Sequence, residues 1–278
     1  MTNRSIKHGR SLLGSLPAVI LVGGLSVAAL AGVVSASLRP NAILNGAYGT
    51  DAWTRLFEDG NFVEALIFTI RAAAISTVLS VLISVPLAFA LRRHTGVARA
   101  LVGAPIPIPH LVTASLVVLW LGPSGLLDRA LFTLPIVRDS FGIGVILVYI
   151  LKEVPFLTML ILAALGEEDE TREEAARTLS PSRWARWRSV LLPQLRRPLT
   201  LGSLVVAAFV IGSTEVPLVV GPLTPEVLTT WSITVVRIRG PIARADAAAG
   251  LVVSSILVIA LAVVMIWFAV RARSRKPT

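Results

Sequence analysis

The chain has 278 residues, of which 55% are hydrophobic and 15% charged, with a mean hydropathy of +0.79 and a formal net charge of +10. A water-soluble domain carries about 25% charged residues to hydrate its surface, so most of this surface faces something other than water. The chain has no cysteine, which excludes a disulfide framework, a thiolate nucleophile and Cys-ligated zinc. His8, His94 and His110 are scattered, so no metal site is expected. The basic residues sit at the ends of apolar runs, which ties them to membrane topology and not to nucleic acid.

A membrane-spanning helix needs about 20 mostly apolar residues. Six stretches qualify, at 12–37, 65–91, 100–121, 143–166, 199–220 and 247–270. The first follows Arg4, Lys7 and Arg10 and is longer than the apolar core of a signal peptide, so it reads as a retained helix. Residues 51–64 place Trp53, Leu56 and Phe57 on one helical face, a pattern suited to the membrane interface. Pro105, Pro107 and Pro109 interrupt the third span and Lys152-Glu153 the fourth. Both are kept, because neighbouring groups can re-satisfy a broken backbone inside a bundle. With a cytoplasmic N-terminus, segments 1–11, 92–99, 167–198 and 271–278 lie inside and hold 17 Lys/Arg, against 7 outside. That asymmetry places both termini in the cytoplasm.

The longest inside loop, residues 167–198, reads EEDETREEAARTLSPSRWARWRSVLLPQLRRP. Six of the eight residues from Glu167 to Glu174 are acidic, and Ala175, Ala176 and Leu179 then line one side of a helix. Acids early in a helix interact favourably with its dipole. Ser180 followed by Pro181 reads as the N-cap and first-turn proline of a second helix. There Trp184, Trp187 and Leu191 share a face, with Arg183, Arg186 and Arg188 polar. By periodicity alone this helix fits an anionic lipid surface as well as it fits a protein groove. No GxxxxGK[ST] phosphate loop is present, so ATP chemistry is assigned to another chain and no catalytic residue is expected here.

The loop resembles the EAA loop of permease subunits from ATP-binding-cassette importers: EAA, three residues, glycine, then an aromatic, an aliphatic and Leu-Pro. Glu174-Ala175-Ala176 match the opening, Trp187 the aromatic, Val190 the aliphatic and Leu192-Pro193 the close, while Ser180 stands where glycine is usual. The segments YILKEVPF (Tyr149 to Phe156) and GSTEVPLVVG (Gly212 to Gly221) look like the branch serving polyamines, phosphonates, thiamine, sulfate or ferric iron. The resemblance implies an all-α integral membrane fold of about six transmembrane helices, a MetI-like permease core with a cytoplasmic coupling helix. It implies a tail and first helix at 1–45, the permease domain at 46–271 and a basic tail at 272–278. It also implies a bacterial inner-membrane location, a second permease, identical or homologous, a cytoplasmic ATPase dimer holding ATP and Mg, and an extracytoplasmic binding protein. The coupling residues carried over are Glu174, Ala175, Ala176, Leu179, Ser180, Pro181, Trp187, Leu192 and Pro193.

Charges within the spans need their own account, because a charged group at mid-bilayer costs about 2.5–3.5 kcal/mol on insertion scales. Lys152 and Glu153 lie in the fourth span, about 100° apart on a regular helix and so poor partners for each other. Glu215 precedes Pro217 in the fifth span and Arg71 lies in the second. On one reading Lys152, Glu153 and Glu215 line a translocation pathway. On the other, these charges pair across helices and hold the bundle together, for example Arg71 with Glu215, or Lys152 with an acid of the partner. An ion-coupled secondary transporter using the same Lys and Glu groups is the alternative function, although paired inverted repeats are absent from the sequence.

Overall fold

A computed structural model describes residues 3–39, 48–92, 94, 96–130, 134–165, 188 and 192–273. Among these residues the regular structure is helical throughout, with no strand. The helices are α1 (Asn3–Ser37), α2 (Asp51–Glu58), α3 (Gly60–Leu91), α4 (Val97–Gly103), α5 (His110–Leu121) and α6 (Leu126–Ala130). They continue with α7 (Ile143–Ala164), α8 (Leu192–Gly212), α9 (Glu215–Val220), α10 (Leu228–Arg239) and α11 (Arg244–Arg273). Six stretches of the described residues are long and apolar enough to cross a membrane: Ile20–Ser37, Gly60–Leu91, His110–Ala130, Ile143–Ala164, Leu192–Gly212 and Pro241–Arg271.

Two spans differ from the expectation. The third begins at His110 and not at 100, because the segment from Pro105 to Pro109 cannot run as one helix. Each proline lacks an N–H and disfavours helix in the residue before it. The backbone turns instead, through Ile106 N to Gly103 O (3.0 Å) and Ile108 N to Pro105 O (3.2 Å). The fifth span starts earlier, at Leu192, and stops at Gly212. Pro217 has no N–H to donate to the Ser213 carbonyl four residues back, so the helix breaks there. The Thr229 hydroxyl donates to that carbonyl instead, at 2.9 Å.

Contacts divide the chain into two compact units, 1–59 with 232–255 and 60–231 with 256–278. In the first, α2 buries Ala52 and Leu56, so Leu56 belongs to a packed face while Phe57 is 61% exposed. The helix stops at Asp59, short of the expected 64. Arg55 Nη2 donates to Asp246 Oδ1 at 2.6 Å, and Arg239 Nη2 to Asp59 Oδ2 at 2.7 Å. The Asp246 hydrogen bond holds the Arg55 guanidinium above the ordinary arginine range.

The second unit is organised around α7, which packs on α3, α4, α5, α8 and α9. Its span is 61% buried, against 28% for α8 and 33% for α3. The buried stripe of α3 runs through Ala65, Thr69, Ala72, Ala73, Ser76, Ser80, Ser84 and Ala88 at helical spacing. Such small residues let membrane helices approach closely, where dispersion contacts replace the missing hydrophobic drive. Gly144 serves the same end, since a Cβ there would lie 2.8 Å from the Ile136 carbonyl oxygen.

Candidate functional site

The intramembrane charges of α7 take separate partners. Lys152 is 3% exposed, and its ammonium donates to the carbonyls of Pro105 and Ile108 and, at 3.1 Å, to that of Ile106. These carbonyls belong to the proline turn that has lost helical donors, so one cation satisfies a stretch of backbone left without helical partners. No acid is needed to hold it.

Glu153 is also buried, and His110 Nε2 lies 3.1 Å from its Oε1. With Glu153 as a carboxylate, the tautomer that carries the proton on Nε2 makes His110 the donor of this pair. His110 is the first residue of α5, placed there by Pro109. Its ring packs against Phe209 of α8 with centroids 4.5 Å apart and lies 6.5 Å from the ring of Tyr149. Tyr149 in turn meets Phe209 edge-on at 6.4 Å. The Tyr149 hydroxyl is buried beside that of Ser213. Glu215, exposed, opens α9 two residues beyond Ser213. α5, α7, α8 and the α8–α9 break thus bring His110, Tyr149, Glu153, Phe209, Ser213 and Glu215 into one neighbourhood.

Of the residues singled out from sequence, Glu153 and Glu215 fall in this neighbourhood, while Lys152 faces the proline turn. Arg71 does not pair with Glu215. It donates to the carbonyls of Ser140 (3.4 Å) and Phe141 (3.0 Å), and stacks on Phe141 and Phe68 at 4.6 and 5.1 Å. The sequence reading passed over His110, although a lone histidine directly after Pro109 at the head of an apolar helix marks it.

Glu174, Ala175, Ala176, Leu179, Ser180, Pro181 and Trp187 lie outside the described residues. Leu192 and Pro193 are the first described residues of α8 (Leu192–Gly212). Three residues on, Leu195 is 1% exposed and packs in a cluster with Ala88 of α3, Ile161 of α7 and Leu165.

Comparison with known proteins agrees with this architecture. A bacterial alginate ABC transporter, crystallised with an alginate-bound periplasmic protein, has a chain that superposes with a TM-score of 0.71. The identity is 19%, and 94% of both chains is covered. At that identity the likeness establishes the fold. An inner membrane ABC transporter permease protein of Escherichia coli K12 is 29% identical over 73% of this chain and 41% of its own length. A probable molybdenum ABC transporter permease of Haloferax volcanii is 32% identical over 52% and 54%. A thiamine transport system permease of Brucella abortus is 30% identical over 68% and 36%. The chain thus spans about half or less of the length of these relatives. Residues 80–276 match the family model of binding-protein-dependent transport system inner membrane components. With its six membrane-crossing stretches, this multi-pass inner-membrane chain belongs to the family of binding-protein-dependent transport system inner membrane components.

Proposed function

We propose that the chain is one permease subunit of an ABC importer and supplies half of a transmembrane substrate pathway. A separate cytoplasmic ATPase drives it through the loop at 167–198. The observation that carries this reading is the family match over 80–276, which includes the loop with the EAA spacing from Glu174 to Pro193. The described geometry supports it: the motif closes on the first turn of α8, and Leu195 ties that turn to α3 and α7. In this scheme Glu174, Ala175 and Ala176 dock on the ATPase, Leu179, Ser180 and Pro181 form the bend, and Trp187 anchors the second helix. ATP and Mg stay on the partner, both termini are cytoplasmic, and the permease domain is 46–271.

A second permease copy or homologue completes the pore, and an extracytoplasmic binding protein delivers cargo. Glu153 and Glu215 line the pathway, while Lys152 shapes it by holding the proline turn. Relatives named for thiamine, molybdenum and sulfate transport span cationic and anionic cargo, so the binding protein and not this neighbourhood selects the substrate. Family membership does not favour the ion-coupled alternative.

The test is copurification followed by transport in vesicles. A tagged chain should bring down an ATPase, and Glu174→Lys should abolish ATP-driven uptake while leaving the chain folded. Uptake that persists without ATP on an ion gradient would refute the proposal.

A further inference from the structure

A groove of about 510 Å³ opens between the first turns of α8 and the last turns of α11. Its wall carries Arg196, Arg197 and Arg271, with Pro193, Trp267 and Phe268, and none of the described residues that line it is acidic. Neither Arg196 nor Arg197 has an ion pair among the described residues, and both are exposed. Arg271 stacks on Trp267, its guanidinium carbon 3.8 Å from the ring centroid.

The groove has a defined level relative to the membrane. α8 begins the fifth crossing and α11 ends the sixth, so their near ends emerge on the same face. Trp267 and Arg271 are one turn apart, about 6 Å along the helix axis. The aromatic pair Trp267–Phe268, edge-on at 4.9 Å, is half-exposed, with the Arg271 guanidinium against the Trp267 ring and the Arg271 backbone one turn nearer the helix end. This is the layering of a phospholipid at the bilayer surface, with a charged head above and the start of an acyl chain below. Arginine forks also match phosphate oxygens in pairs.

We propose that this groove is a binding site for the headgroup phosphate of an anionic glycerophospholipid, held by Arg196, Arg197 and Arg271, with its acyl chains along Trp267 and Phe268. A zwitterionic lipid carries the same phosphate but adds a cation that three guanidiniums repel, so the site discriminates by net charge. The proposal does not depend on what the chain transports.

Native mass spectrometry of the full purified chain in mild detergent tests it, with phosphatidylglycerol and phosphatidylcholine titrated separately. The expected result is about tenfold tighter retention of phosphatidylglycerol, lost to the phosphatidylcholine level in Arg196→Gln/Arg197→Gln. Arg129→Gln/Arg237→Gln, with the same change in charge elsewhere, should keep the preference. Millimolar inorganic phosphate should leave the lipid bound, because free phosphate gains nothing from Trp267 and Phe268. Three outcomes would overturn the proposal. One is equal retention of the two lipids by the wild-type chain, and another is equal loss in both double variants. The third is displacement by inorganic phosphate or by a peptide of residues 167–174, which would make the groove a general anion site or a seat for the chain's own acidic run.

Discussion

Replacing His110 by phenylalanine isolates the worth of the pair at the centre of the candidate site. The ring keeps its place against Phe209, 4.5 Å away, so packing is largely preserved and the loss falls on Glu153. That carboxylate, 9% exposed at the side chain, is left without its donor. Taking the donor away from a buried carboxylate that stays charged costs about 3–5 kcal/mol. We expect the low end, about 3 kcal/mol, because His110 itself is 22% exposed. Glu153→Met strands only an imidazole N–H and costs about 1 kcal/mol. The double variant removes both polar groups and stays within about 1 kcal/mol of the wild type, since replacing both partners by apolar groups is nearly neutral. The cycle thus yields a coupling of about 3 kcal/mol. In thermal unfolding of the detergent-solubilised chain, His110→Phe should lower the melting temperature by about 6–12 °C and the added Glu153→Met should restore most of it. Single effects that add within about 0.5 kcal/mol would show that the 3.1 Å contact carries no energy and would refute the reasoning.

Thr229→Val removes the donor to the Ser213 carbonyl and should cost about 1–3 kcal/mol, read as a melting temperature lowered by about 2–12 °C. Thr229→Ser should restore it. Gly144→Ala pushes a methyl against the Ile136 carbonyl oxygen at 2.8 Å, a backbone atom that cannot swing aside. A loss of about 1–3 kcal/mol is expected, while Gly23→Ala, where a Cβ meets nothing within 4 Å, should leave the melting point unchanged.

The number of crossings was legible from hydropathy alone, because an apolar run of the right length has few alternatives in a chain this poor in charge. The helix ends were not. Hydropathy gave 100 as the start of the third span, where three prolines moved it to His110, and it carried the fifth span through Ser213 to 220. A hydropathy window cannot register which carbonyl lacks its N–H. Lys152 and Glu153 were recognised as poor partners for each other from their angular separation, and the structure gives each a different one. What they bind instead was out of reach, because backbone carbonyls have no letter in a sequence and His110 lies 43 residues away from Glu153. The coupling motif rests on resemblance, and only its close, Leu192-Pro193, falls among the described residues.

The ammonium of Lys152 bears on how the chain is made. Its acceptors at Pro105, Ile106 and Ile108 lie 44 to 47 residues earlier in the sequence. During synthesis these carbonyls reach the insertion machinery well before their donor exists. Until then Pro105 O has only its local donor, the Ile108 N–H, and the Ile106 and Ile108 carbonyls lack the ammonium that holds them in the folded chain. The turn between α4 and α5 thus takes its final set of partners only when α7 is in place beside it.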